Sequence, residues 1–343
     1  MKGSLSMGNR ATPSRSFNTV KHSNREERRK RHQKERMTLL SIFVVVIAIL
    51  LSLLILSVGS IVDIIRASIP SLPDDTETND PPPVSSEDIQ YMQITKAKND
   101  IHVGDLILVN ADHAYIFPTA NTHLVNVYEN RTKIDGSNIY QVSFPTYQLE
   151  RSTFEAFETM MKKFYTVSDG DSSVLISSAY RTLQDQEDLG SSVQAGYSDH
   201  HTGYCVALKK YGTSSTQALE TDHWIYAHCY EYGFIVRYPE SKSEQTGVSD
   251  YEHCFRYVGV AHATYISQNN LCLEKYVDLL KKNYTSTHLA IQGADGNGYE
   301  VYYVPADEGI TQFSVPQNYK YTISGDNMGG FIVTVHLSEP VNA

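Results

Sequence analysis

The stretch Gly196-Tyr197-Ser198-Asp199-His200-His201-Thr202-Gly203 is the centre from which this chain is read. Upstream of its two adjacent histidines, Val174-Leu175-Ile176-Ser177 has the pattern of a buried strand. That strand runs into Ser178-Ala179-Tyr180-Arg181-Thr182, where Thr182 is the expected N-cap of a polar helix. Earlier still, Phe154, Phe157, Met160, Met161 and Phe164 recur at helical spacing and predict an amphipathic helix over 149–165. Downstream, helices are expected over 222–232 and 262–281. They are separated by the strand-like Gly233-Phe234-Ile235-Val236-Arg237-Tyr238 and Phe255-Arg256-Tyr257, with Phe234, Ile235 and Phe255 in the core. The economical fold class is α+β.

Both flanks of this region read as β structure. Leu106-Ile107-Leu108-Val109 and Leu124-Val125-Asn126-Val127-Tyr128 are short apolar runs between turn residues and suggest a small leading β segment over 91–148. The core proper then covers 149–282. After Asn283 the pattern returns to short strands (299–304, 312–315, 321–323 and 330–337), which predicts a small all-β module over 285–343.

Charge and hydropathy set the location. The chain has 343 residues and a formal net charge of −10, yet residues 1–36 hold 11 Lys and Arg against 3 Asp and Glu. A basic head on an acidic body is not a nucleic-acid-binding pattern. The uncharged run 39–62 is rich in Leu, Ile and Val. At about 1.5 Å per residue it is long enough for a hydrocarbon core of about 30 Å, so it is expected to be one transmembrane helix. The cluster from Arg25 to Arg36 on its N-terminal side keeps the head cytoplasmic and sends the rest across the cell membrane. Residues 66–90, with Pro81-Pro82-Pro83 and many acids, read as a stiff linker. The four cysteines, Cys205, Cys229, Cys254 and Cys272, all fall on the exported side, where disulfides persist.

Four segments carry the chemistry: Ser178-Ala179-Tyr180-Arg181 with Gln186, the 196–203 stretch, Tyr232-Gly233-Phe234-Ile235-Val236-Arg237-Tyr238-Pro239, and Phe255-Arg256-Tyr257-Val258-Gly259. In this order and spacing the chain resembles the VanY-type D-alanyl-D-alanine carboxypeptidases, zinc enzymes that trim D-alanine from peptidoglycan stem peptides. The resemblance implies a three-ligand zinc site that keeps a position open for water. Its ligands would be a His, an Asp seven residues on and a second His, with a Glu base three residues before that His. It places His200 at the first ligand, and it makes Arg181 the residue that steadies oxyanion charge or the substrate carboxylate. Gln186, Ser198 and His201 become supporting substrate-binding residues.

At the remaining positions this chain departs from the pattern. The aspartate position holds Ala207, the second histidine position holds Cys254, and the base position holds Tyr251. In an alternative register Asp250 stands three residues before His253 and would be the catalytic base, with Glu252 or His201 recruited to the metal. If Cys205 and Ala207 lie on one strand, Cys205 faces the vacated metal position with Cys254 across from it. A Cys205–Cys254 disulfide is therefore expected, with Cys229 paired to Cys272. The competing arrangement has His200 and Cys254 holding zinc through borderline and soft ligands. His223, His228 and His262 read as packed or surface histidines.

Two functions follow. In the first the protein is a catalytically impaired relative, a pseudoenzyme that binds stem peptides or a partner cell-wall enzyme. In the second it is an active zinc carboxypeptidase with substitute ligands.

Overall fold

The apolar stripe becomes α1 (Arg151–Val167), capped by the Glu150 carboxylate, which accepts the Ser152 N–H. Phe157, Met160, Met161 and Phe164 are buried along one face. Each contributes about 2 kcal/mol in area removed from water, before the entropy of ordering is subtracted. The structure is a computed structural model describing residues 89–119, 123–212, 219–220, 223–249, 251 and 253–341.

β1 (Tyr91–Ala97) opens the described chain and pairs with a strand from the C-terminal region. The central sheet is built from β2 (Gln141–Val142), β3 (Val174–Ser178), β4 (Cys205–Lys210), β5 (Phe234–Val236) and β6 (Cys254–Tyr257). Its order is β2-β3-β4-β6-β5, parallel between β2 and β3 and antiparallel elsewhere. Strand alternation divides its faces. Val206, Leu208 and Phe255 pack into the α1 cluster, whereas Cys205 and Cys254 join Tyr238, Val248 and Tyr251 on the opposite side.

Short helices in the connections include α2 (Leu183–Asp188) and α3 (Trp224–His228). Beyond β6 come α4 (Val260–Gln268) and α5 (Leu273–Asn283), expected as one continuous helix. The break falls where Asn269 caps α4 and Asn270 takes φ +49°. Asn tolerates that left-handed conformation because its short side chain can hydrogen-bond locally. A second sheet follows, made of β7 (Leu289–Gln292), β8 (Gly298–Pro305), β10 (Tyr319–Gly325) and β11 (Gly330–Pro340) in the order β7-β8-β11-β10. β9 (Ile310–Pro316) lies outside it and pairs antiparallel with β1. Ile235 of β5 packs with Leu273, Val277 and Leu280 of α5, and Val301 and Ile332 of this sheet join the same cluster. The leading segment and the C-terminal strands are thus joined by pairing rather than standing apart.

Several expectations are corrected. Residues 106–109 form no strand. They are buried loop whose carbonyls accept side-chain donors: Ile107 from Arg256, Leu108 from Asn327 and Val109 from Arg237. Within 124–128 only Leu124–Asn126 is a strand, and Val127–Asn130 is a helical turn. The helix expected over 222–232 is α3 followed by a 3₁₀ turn, Cys229–Tyr232. The membrane run 39–62, the basic head and Asp250 and Glu252 lie outside the described residues. Among those described, no helix is long and apolar enough to cross a membrane.

Candidate functional site

The central motif folds as a 3₁₀ turn, Asp199–Thr202, between Ser198 and Gly203. The Ser198 hydroxyl accepts the His200 N–H, and Gly203 ends the turn at φ +77°. A Cβ on Gly203 would approach the Glu150 nitrogen to 3.1 Å, so the turn seats against the start of α1 only with glycine there. Asp199 points inward and is gripped by two buried arginines, Arg237 through Nε and Arg256 through Nη1. Arg237 also makes a two-pronged pair with Glu274 of α5, at 2.7 and 3.0 Å. The Arg256 Nη2 donates to the carbonyls of Asp105 at 2.8 Å and Ile107 at 3.1 Å. These charges are fully desolvated, so each needs its partner. The network ties the histidine turn to α5, β5, β6 and the leading loop.

His200 is buried, and that burial, together with the nearby Arg181 cation, holds its imidazole well below the ordinary histidine pKa. The ring is therefore neutral and carries one N–H. Nδ1 lies 2.8 Å from the Ala179 carbonyl, an acceptor only, which places the proton on Nδ1 and the lone pair on Nε2. The Tyr251 hydroxyl, 2.9 Å away, donates to that lone pair and in turn accepts from Arg181 Nη2 at 3.2 Å. Burial raises the Tyr251 pKa and keeps the phenol protonated.

The expected substrate residues separate into two groups. Arg181, Gln186, Ser198, His200 and Tyr251 line a groove of about 790 Å³ floored by Ala207. Arg181 is held by neutral partners, with Nε and Nη2 on the Ser178 hydroxyl and Nη1 on Gln186 Oε1 at 2.8 Å. Among the described residues it has no ion-pair partner. His201 is turned away from the groove. Its Nδ1 donates to the Arg181 carbonyl at 2.7 Å and its Nε2 accepts the Gly196 N–H at 3.0 Å, so it braces backbone. His253 lines the groove against the Tyr251 ring.

All four cysteines are free thiols, which corrects the two expected disulfides. Cys205 and Cys254 do face one another, with sulfurs in contact at 2.8 Å, and Cys254 lies 3.9 Å from His200 Nε2. Cys229 instead sits in the α1 cluster and Cys272 reaches Gln245 Oε1. The sequence reading missed Tyr251 as the partner of His200, and it missed the Asp199 network. Asp199, Arg237 and Arg256 stood in the motif segments, but only the fold shows that they converge.

Residues 146–260 match the family described as VanY, D-alanyl-D-alanine carboxypeptidase. A D-alanyl-D-alanine carboxypeptidase of Enterococcus faecium is 32% identical over 262 residues, 73% of this chain and 80% of the relative. The chain belongs to the VanY-type D-alanyl-D-alanine carboxypeptidase family. A second relative of the same description, from Enterococcus faecalis, is 34% identical over 130 residues, 31% of this chain and 48% of the relative. Among solved structures, the vancomycin-resistance D,D-dipeptidase VanXYg, in complex with a D-Ala-D-Ala phosphinate analogue, aligns with a TM-score of 0.62 and 26% identity. That alignment covers 72% of this chain and 99% of that one.

The VanY-type pattern implies zinc, and the donors can be tested against it. Of the family's ligand positions, His200 spends its lone pair on Tyr251, Ala207 has no donor atom and Cys254 offers a thiol. His200, Cys205 and Cys254 bring their ligand atoms within 4.8 Å of one another. Two thiolates on one tetrahedral zinc would stand roughly 3.8 Å apart, from Zn–S bonds of about 2.3 Å. The sulfurs here are 2.8 Å apart, closer than two thiolates on one zinc stand. The residues do not fit an open three-ligand zinc site.

Proposed function

We propose that this chain binds the D-alanyl-D-alanine end of peptidoglycan stem peptides in the groove beside Arg181 without hydrolysing it. The 39–62 segment would hold that groove at the outer face of the cell membrane. One observation carries the reading: at the position of the family base stands Tyr251, a protonated phenol whose hydroxyl occupies the His200 lone pair. A carboxylate base requires that space, and a metal ion requires that lone pair. Arg181 supports the binding half of the reading. Its hydrogen-bond partners among the described residues are neutral, and a guanidinium so placed in a groove suits a peptide's terminal carboxylate.

Among the described residues, the His200, Cys205 and Cys254 cluster favours a second reading, hydrolysis through substitute ligands. Full-length protein in detergent micelles, titrated calorimetrically with diacetyl-L-lysyl-D-alanyl-D-alanine, analysed for zinc and assayed for free D-alanine, separates the two. Saturable binding with neither zinc nor D-alanine release is expected. Release accompanied by stoichiometric zinc overturns the proposal and establishes the second reading, and absence of both binding and release removes both.

A further inference from the structure

We infer that the cleft between the end of α4, the 3₁₀ turn Cys229–Tyr232 and β7 is a second binding site, which takes an uncharged acetamido sugar of a glycan chain. It shares no lining residue with the Arg181 groove.

Three elements distant in sequence build its walls. The 3₁₀ turn supplies Tyr230 and Glu231, and the end of α4 supplies Tyr265, Gln268 and Asn269. Gln292 of β7 and the turn that follows it close the third side. These walls are fixed by bonds of their own. The Ala294 N–H donates to Thr264 Oγ1 at 3.0 Å, which docks the turn after β7 on α4, and within that turn the Gly293 N–H reaches the Asn297 carbonyl at 2.8 Å. Gln292 Nε2 donates to the Gly296 carbonyl at 2.7 Å, and Asn269 Nδ2 donates to the Tyr265 carbonyl at 2.9 Å. Each of these two amides is thus held by its nitrogen and keeps an oxygen that accepts. The cavity encloses about 440 Å³, inside the range of about 300–1,000 Å³ for small-molecule sites.

The lining selects the ligand. Among the described residues, no Lys, Arg or His lines the cleft, so a phosphate or carboxylate would enter it without a counter-charge. The one acid, Glu231, already accepts from His228 Nδ1 at 2.7 Å, so its charge does not call for a ligand cation. An acyl chain fits no better, because it would cover the carboxamides of Gln268, Asn269 and Gln292 without offering them a hydrogen bond.

A pyranose ring has the required character, apolar on its faces and polar at its edge. Tyr230 and Tyr265 are half-buried against the cluster that holds Leu273 and Ile291, and they give the cleft its aromatic surface. The three carboxamides can both donate and accept, as sugar hydroxyls and an acetamide require. Ala290 and Ala294, both exposed, add the small apolar surface that suits an acetyl methyl.

Full-length protein, in micelles of a detergent without a sugar headgroup, is titrated with N-acetylchitotetraose and separately with cellotetraose, by calorimetry and by saturation-transfer-difference NMR. Saturable binding of N-acetylchitotetraose is expected, with the strongest transfer at its acetyl methyls, and cellotetraose should bind at least about tenfold more weakly for want of the acetamide. Gln268→Ala, at an exposed position, should weaken binding about threefold to tenfold, the effect of one neutral hydrogen bond. Ala290→Trp adds bulk from an exposed position and should abolish binding at an unchanged melting temperature. Absence of binding up to about 10 mM, equal binding of the two tetrasaccharides, or unchanged binding in both variants overturns the inference. The tripeptide titration reads the Arg181 groove alone. Sugar binding without tripeptide binding refutes the groove proposal and leaves this inference standing, and tripeptide binding without sugar binding does the reverse.

Discussion

Replacing His262 with Gln should flatten the acid side of the stability curve. His262 is buried where α4, α5 and β11 meet, with Nδ1 at 2.7 Å from the Tyr276 hydroxyl and Nε2 at 2.9 Å from that of Thr334. Burial, with a smaller contribution from His336, lowers its pKa from 6.5 to about 3. In the unfolded chain the imidazole takes a proton below about pH 6.5, whereas in the folded protein it refuses one until about pH 3, so the unfolded state binds more protons in that window. The stabilisation from a neutral His262 is thus fully present above the unfolded pKa and is lost as the pH falls toward the folded value. Each unit is worth about 1.36 kcal/mol, so lowering the pH from about 6.5 to about 5 removes about 2 kcal/mol. His200, His201, His253 and His336 shift in the same direction. The buried Asp105 carboxyl, raised to about 6, has the opposite effect, losing its stabilisation as the pH rises. The difference between wild type and His262→Gln isolates the single group, because the amide keeps polar contact with both hydroxyls and cannot titrate. Urea unfolding of both proteins at about pH 7 and about pH 5 should show wild type losing about 2 kcal/mol more. Equal losses in the two proteins would refute the claim that a buried neutral His262 links these layers.

Arg237→Met should cost about 3–5 kcal/mol in unfolding free energy, measured by urea titration, because it strands the buried carboxylate of Glu274 and leaves Asp199 with Arg256 alone. Arg181→Ala should weaken binding of the tripeptide at least about tenfold, since a charge-assisted hydrogen bond contributes about 1.5–3 kcal/mol, and Arg181→Lys should restore little because a single ammonium cannot reproduce the fork. Calorimetry of both variants checks this. Combining Ala207→Asp, Tyr251→Glu and Cys254→His should create stoichiometric zinc binding, read by metal analysis. Ala207→Asp alone should instead destabilise the chain, read by its melting temperature, because a buried carboxylate then lacks a partner.

Local features were legible wherever neighbours in the chain control the outcome. The α1 stripe and the Thr182 cap were read correctly because a helix period and a capping hydroxyl act within a few residues, and the structure shows Thr182 and Asp185 capping each other reciprocally. The run 106–109 was misread as a strand because its carbonyls are satisfied by Arg256, Asn327 and Arg237, from 128 to 219 residues away. Likewise, the pairing of β1 with β9 joins Tyr91 to Pro316, and no local pattern announces it.

In the register that the resemblance to VanY-type enzymes implies, an alanine stands at the carboxylate ligand position and a phenol at the base position, and a methyl group coordinates nothing in any fold. Only the three-dimensional packing decided that the phenol of Tyr251 reaches the His200 lone pair, that His201 braces backbone instead of facing the groove, and that Cys229 and Cys272 stay apart. Each depends on side chains brought together across long stretches of chain, where strand register and desolvation, acting on whole elements at once, select the partner.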